Sequence, residues 1–157
     1  MDRLLRTRVG ARDPVRRVAF AAGIVFLVVG ALGFVPGVTT GWDTIEPAGH
    51  SSHAMLLGMF ATSVLHNVIH LTFGVLGLVA SRTARGSALF LALGGVAYLL
   101  LWAYGLATPD ESALNALPVN AADDWLHLAL GVAMITALLV TRRPEPRHAR
   151  AAPPPPG

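Results

Sequence analysis

The sequence predicts an all-α integral membrane protein built as a four-helix bundle. Of its 157 residues, 54% are hydrophobic and only 13% are charged, with a mean hydropathy of +0.57, whereas a soluble domain carries about 25% charged residues. Four apolar runs, at residues 18–35, 54–80, 88–107 and 121–140, each approach the roughly 20 residues that a bilayer requires. Too few polar side chains remain to cover a soluble surface, which excludes a soluble globular enzyme.

The first run is expected to be an uncleaved anchor at the start of a transmembrane domain spanning residues 18–140. Arg16 and Arg17 precede this run as in a signal peptide, but its 18 residues exceed the usual apolar core of about 7–15. Residues 1–17 form a basic cytoplasmic segment. Residues 141–157 are rich in Arg and Pro, cannot bury a core, and are expected to be a disordered cytoplasmic tail.

The distribution of arginine predicts the orientation of the four runs. All twelve basic residues are arginine: six precede the first run, two lie between the second and third, and four follow the fourth, while the loops at 36–53 and 108–120 have none. Because cytoplasmic flanks retain positive charge, both termini are expected in the cytoplasm of a multi-pass protein of the bacterial cytoplasmic membrane. The formal charge of +3 follows from this bias and does not indicate nucleic-acid binding.

Several kinds of chemistry lack the residues that they need. The chain has no cysteine, which excludes disulfides, thiolate metal sites and thiol redox chemistry. It also has no phosphate-binding glycine-rich loop of the G-x-x-x-x-G-K-[ST] type.

A pattern shared by the second and fourth runs predicts an internal repeat. His70-Leu-x-x-Gly-Val in the second run matches His127-Leu-x-x-Gly-Val in the fourth, and this alignment places Asp123 where His66 lies. A weaker pattern relates the first and third runs. Two helical hairpins in parallel orientation would produce both patterns, with the second and fourth helices facing each other about a pseudo-two-fold axis.

One face of the second predicted helix carries the polar side chains Thr62, Ser63, His66, Asn67 and His70. Polar groups are costly in hydrocarbon, so this face is expected to point into the bundle. His127 of the fourth run lies at a similar depth, within roughly 6 Å of the other two histidines by helical rise. His66, His70 and His127 are therefore candidate metal ligands. Asp123 and Asp124 mark the outer mouth of the fourth helix, where acids also stabilise a helix N-terminus.

These polar groups have three interpretations. Buried His and Asn often serve as hydrogen-bonding contacts between helices. A metal ion or haem bound by imidazoles from the second and fourth helices would instead make the protein a membrane redox protein. The stripe could also form a path for protons or a solute, as in a small transporter.

Three segments together resemble a known family: GALGFVPGVTT at 30–40, LHNVIHL at 65–71 and DWLHLALG at 124–131. The chain resembles the bacterial membrane proteins grouped as domain of unknown function 4383, over about residues 18–140. The resemblance implies a small four-span inner-membrane protein and supplies no catalytic residues.

The leading functional expectation is therefore a non-enzymatic component of the membrane or cell envelope. It would contact the lipid bilayer and a membrane-protein partner or further copies of itself. The cofactor stays open between haem, a metal ion and none.

Overall fold

The computed structural model describes residues 13–141, in which four α-helices account for most of the chain. Helix α1 runs over Pro14–Leu32, α2 over Val64–Ala80, α3 over Ala84–Ala107 and α4 over Ala121–Thr141. The expected basic segment, apart from its last residues, and the expected disordered tail lie outside the described residues, except for Thr141.

A small antiparallel sheet connects α1 to α2. Its strands are β1 (Thr39–Thr40), β2 (Met55–Leu56) and β3 (Phe60–Ala61), in the order β1-β2-β3. A short 3₁₀ helix, Trp42–Thr44, lies between β1 and β2. We call the end of the bundle at which these strands lie the sheet end, and the opposite end, where Arg82 connects α2 to α3, the arginine end.

The second apolar run is not helical throughout, which corrects the boundary predicted at residue 54. Residues 55–61 form the β2–β3 hairpin, and α2 begins at Val64, after Ser63 accepts a hydrogen bond from the backbone of His66. Leu57 and Gly58 adopt φ values of 54° and 67° in the three-residue turn between the paired residues Leu56 and Phe60. Positive φ values are common in tight turns between antiparallel strands. An apolar run of this kind has no periodicity that distinguishes strand from helix.

The other helix boundaries lie within four residues of the predicted ones. Helix α1 ends at Leu32 instead of 35, and α3 begins at Ala84 instead of 88, because Thr83 caps it by accepting from the backbone of Gly86. Helices α1, α3 and α4 are long and apolar enough to cross a membrane, whereas α2 is apolar but has 17 residues.

The helices pack as two hairpins, α1 with α2 and α3 with α4. Within each hairpin, the two helices meet at glycine residues. A Cβ atom at Gly23 would lie 2.9 Å from the carbonyl oxygen of Gly74, and one at Gly95 would lie 3.2 Å from that of Gly131. Glycine thus allows the two backbones of each hairpin to approach closely. These contacts occupy corresponding positions in the two halves, as the repeat in the sequence predicts.

The core lies between the hairpins and is rich in aromatic side chains. We call Phe26, Phe73, Phe90 and Tyr98 the aromatic layer, whose rings contact one another at centroid distances of 5.5–6.4 Å. Leu91, Met134 and Leu138 continue this core toward the arginine end. Backbone packing is tight within each hairpin and sparsest between α2 and α4.

Candidate functional site

A cavity of about 200 Å³ lies between α2 and α4 at the sheet end of the bundle. We call it the central cavity. Its wall is made by α1, α2, α4 and the β2–β3 hairpin. The lining residues are Val29, Leu56, Leu57, Phe60, Ala61, Thr62, His66, Asn67, His70, Asp123, Leu126 and His127.

The structure brings together the three histidines that the sequence singled out. The ring centroid of His66 lies 4.7 Å from that of His70 and 6.3 Å from that of His127. His70 and His127 are 8% and 3% exposed. The polar face of α2 therefore points into the bundle, as the cost of polar groups in hydrocarbon predicts.

The backbone of α2 sets the proton position on His70. Its Nδ1 atom lies 3.1 Å from the carbonyl oxygen of His66. A carbonyl oxygen only accepts, so Nδ1 carries the proton and Nε2 keeps its lone pair. His70 therefore offers an acceptor, or a ligand atom, at Nε2.

Asn67 lies at the contact between α2 and α1. Its Oδ1 atom accepts a hydrogen bond of 2.7 Å from the hydroxyl of Thr62, and its side chain fills the space that a Cβ atom at Gly33 would need. Its Nδ2 atom is buried and has no partner among the described residues. Asn67 is 2% exposed, so this unpaired donor is a costly group inside a membrane protein.

Asp123 ties the start of α4 to the β2–β3 hairpin. Its Oδ2 atom accepts from the backbone N–H of Ala61 at 2.9 Å and from that of Asn120 at 3.1 Å. The Oδ1 atom of Asn120 accepts in return from the backbone of Asp123, which completes a reciprocal cap. This carboxylate is therefore engaged by the fold and is 2% exposed.

Two of the predicted polar residues lie outside the cavity lining. Ser63 is fully buried and caps α2. Asp124 points to the α3 side, where its carboxylate occupies the space next to Gly105. It holds the position in the second hairpin that Asn67 holds next to Gly33 in the first.

The loop histidines belong to a different cavity. His50 and His53 line a space of about 390 Å³ at the sheet end, together with Asp110 and Glu111. Asp123 and Asp124 do not line it.

Imidazole nitrogens near the central cavity remain unpaired. The Nδ1 atoms of His66 and His127 are buried with no hydrogen-bond partner among residues 13–141. Buried polar groups are normally satisfied by protein, water or a ligand. Three lining residues of the central cavity, Asn67 among them, thus each carry one polar atom for which the described chain provides no partner.

The arrangement of the histidines does not favour a metal site with three protein ligands. The rings of His66 and His70 stack with only 14° between their planes. Within residues 13–141, no three His, Asp or Glu side chains are grouped so as to hold a metal ion. A cavity of about 200 Å³ is also smaller than the roughly 300–1,000 Å³ of sites that enclose a drug-sized ligand, so a haem would not fit without rearrangement.

The apolar part of the site was not predicted from the sequence. Val29, Leu57, Phe60 and Leu126 line the cavity, but nothing in the sequence distinguishes them from lipid-facing side chains. Asp123 was assigned to the outer mouth, and the structure shows it inside the site. The only sequence feature that indicated this position of Asp123 was its alignment with His66 in the repeat.

The apolar helices and the polar interior define a helical membrane protein. The chain belongs to the family described as domain of unknown function (DUF4383), which matches residues 16–140. No curated protein and no solved structure matches it.

Proposed function

We propose that this chain is a non-enzymatic protein of the bacterial cytoplasmic membrane that binds a small molecule in the central cavity. Its four helices cross the bilayer, with both termini in the cytoplasm. The observation that carries the proposal is the cavity itself, three of whose lining residues on α2 and α4 each carry a buried polar atom without a partner in the described chain.

Charge and helix length support the orientation and the four spans. Arg82 and Arg85 lie at one end of the bundle, and Asp43, Glu46 and Asp110 lie in segments at the other. Helix α2 has 17 residues and a length of about 26 Å at 1.5 Å per residue, close to the roughly 30 Å of the hydrocarbon core. The β2–β3 hairpin, which bonds to α4 through Asp123, makes up the difference at the sheet end.

The floor of the cavity favours binding over conduction. The ring of His70 lies against Phe26 of the aromatic layer, with centroids 5.9 Å apart. Below it lie the packed rings and Leu91, and the buried Ser87 near the arginine end is already hydrogen-bonded to the backbone carbonyls of Ala80 and Thr83. A transport pathway would require this layer to open, whereas a binding site requires no such change.

A reactive serine is also unsupported by the geometry. Ser63 is the hydroxyl nearest to His66 in sequence, and it accepts from the backbone of α2 as a helix cap. The cavity therefore offers hydrogen-bonding groups without a positioned nucleophile.

Metal binding is the second candidate, favoured by one observation. A ligating imidazole commonly donates its other N–H to a backbone carbonyl, as His70 does to His66. The chain would then supply few ligands, and solvent or another molecule would complete the coordination.

The test is native mass spectrometry and elemental metal analysis of the detergent-purified protein. The wild type is expected to carry a bound small molecule that is lost in His127→Leu and kept in His53→Leu, a matched change at an exposed histidine outside the cavity. Identical spectra for the wild type and His127→Leu would refute small-molecule binding. Near-stoichiometric metal, lost only in His127→Leu, would establish the metal candidate instead.

A further inference from the structure

The polar and the apolar lining residues of the central cavity differ in exposure. The polar residues Asn67, His70 and His127 are buried. Val29, Leu57, Phe60 and Leu126, which we call the apolar rim, are partly or fully exposed. Water-soluble ligands are usually held by polar groups that converge around them, so this division indicates a ligand with two unlike ends.

The apolar rim is contributed by α1, α4 and the β2–β3 hairpin. None of the described residues of α3 lines the cavity, and α1 and α4 pack only sparsely against each other. The β2–β3 hairpin covers the sheet end of this opening. Leu57 at its turn is 65% exposed. In a membrane protein such an opening faces lipid, not water.

The backbone of Leu57 adopts a conformation that is unusual for a residue with a large side chain. Its φ of 54° lies in the left-handed region, which costs a non-glycine residue roughly 1–2 kcal/mol. Strain of this kind is often retained at binding sites. Here it places an exposed aliphatic side chain at the edge of the cavity.

The polar groups of the cavity select an uncharged ligand. No arginine of the described chain lines it, so a phosphate group would have no cationic partner. The Asp123 carboxylate already accepts two backbone N–H groups. A neutral imidazole, such as that of His127 in the lining, donates one hydrogen bond and accepts another, so it can pair with a carbonyl or hydroxyl oxygen.

We propose that the central cavity takes the uncharged, oxygen-bearing head of an amphiphile dissolved in the membrane, which enters between α1 and α4 beneath the β2–β3 hairpin. The proposal rests on the proposed function and names the class of ligand. A volume of about 200 Å³ accommodates the head alone, and the apolar chain extends past the rim into lipid. Isoprenoid quinones and diacylglycerols share this chemistry.

The experiment measures ligand affinity for the full chain in phosphatidylcholine nanodiscs. The probes are a quinone with a single isoprenoid unit, a short-chain diacylglycerol, and phosphatidylglycerol. Binding is followed by the shift in thermal unfolding midpoint with probe concentration. The quinone or the diacylglycerol is expected to bind, and whichever binds identifies the source of the head. Preferential binding of phosphatidylglycerol would overturn the proposal.

Variants of α4 test the site. Leu126→Trp, which fills the rim, is expected to weaken binding by about tenfold or more, equivalent to at least 1.4 kcal/mol. Leu139→Trp, the same change at a side chain that is 64% exposed near the other end of α4, is expected to leave affinity unchanged. Val29→Phe narrows the same opening from α1 and repeats the test if Leu126→Trp does not fold. Equal effects of the rim and control variants would overturn the proposal.

Mass spectrometry and probe binding together distinguish a wrong ligand class from a wrong proposed function. If mass spectrometry finds a bound water-soluble molecule and no amphiphile binds, only the ligand class is wrong. If no molecule is bound and no probe binds, the small-molecule site itself is refuted.

Discussion

The rings of Phe26 and Tyr98 lie face to face, with centroids 5.5 Å apart and planes within 3° of parallel. Phe26 lies three residues after Gly23 and Tyr98 three residues after Gly95, so the two rings hold equivalent positions in the two hairpins. Their near-parallel stacking is the arrangement expected beside a pseudo-two-fold axis. The contact also joins α1 to α3, and the same two rings contact His70 and His127 of the central cavity.

Gly74→Ala and Gly131→Ala are expected to destabilise the protein by similar amounts. An added Cβ would lie 2.7 Å from the backbone nitrogen of Leu27 in the first case and 2.8 Å from Cδ2 of Leu99 in the second. Overpacking of this kind costs about 1–3 kcal/mol. Unfolding midpoints in detergent measure the effect, with Val132→Ile, which adds a methyl group at an exposed position, as the control. A loss at one glycine and none at the other would contradict the equivalence of the two hairpins.

Asp123→Ala is expected to release the β2–β3 hairpin from α4. The change removes the acceptor for the N–H groups of Ala61 and Asn120, and a buried unpaired donor costs about 1–3 kcal/mol. Hydrogen exchange should therefore speed up at Ala61 more than within α3. The matched variant is Asp43→Ala, at an exposed acid outside the cavity. Unchanged exchange at Ala61 would show that Asp123 does not hold the hairpin.

Leu57→Asn is expected to stabilise the protein. Asparagine tolerates the left-handed conformation better than leucine does, so the gain is about 0.5–1 kcal/mol. Met59→Asn, at a neighbouring exposed apolar residue without a positive φ, should give no gain. Thermal unfolding of the two variants provides the comparison, and equal midpoints would argue against strain at Leu57.

Single cysteines at Thr40 and Ala84 test the orientation in the membrane. Both positions are exposed and lie at opposite ends of the bundle, and the native chain has no cysteine to interfere. With both termini in the cytoplasm, an impermeant thiol reagent should label Thr40→Cys in intact cells and Ala84→Cys only after lysis. Labelling of Ala84→Cys in intact cells would show that the orientation is opposite to the proposed one.

Periodicity and apolar runs predicted much of this structure. The inward face of α2 followed from the spacing of His66, Asn67 and His70, and α4 begins at Ala121, the first residue of the fourth apolar run. The β2–β3 hairpin could not be predicted in the same way, because Met55–Ala61 is apolar throughout. Its positive-φ turn carries leucine at the first position, where glycine or asparagine is the usual signal.

The cavity was beyond prediction for a different reason. Its volume depends on how α1, α2 and α4 diverge, and its apolar lining uses the same residue types as the lipid-facing surface. The repeat made the relation between His66 and Asp123 visible in the sequence. One partner of Asp123, the backbone N–H of Ala61, comes from a hairpin about 60 residues earlier in the chain, and no local pattern indicated that contact.

The only covalent link between the two hairpins is the short connection Ser81-Arg82-Thr83. Each hairpin has its own glycine-mediated interface and its own helix cap, and the two meet mainly through side chains. The architecture is therefore that of a dimer whose subunits have been fused into one polypeptide. A gene divided at codon 82 should yield two fragments that reassemble when they are co-expressed, and neither fragment alone would form the histidine cluster.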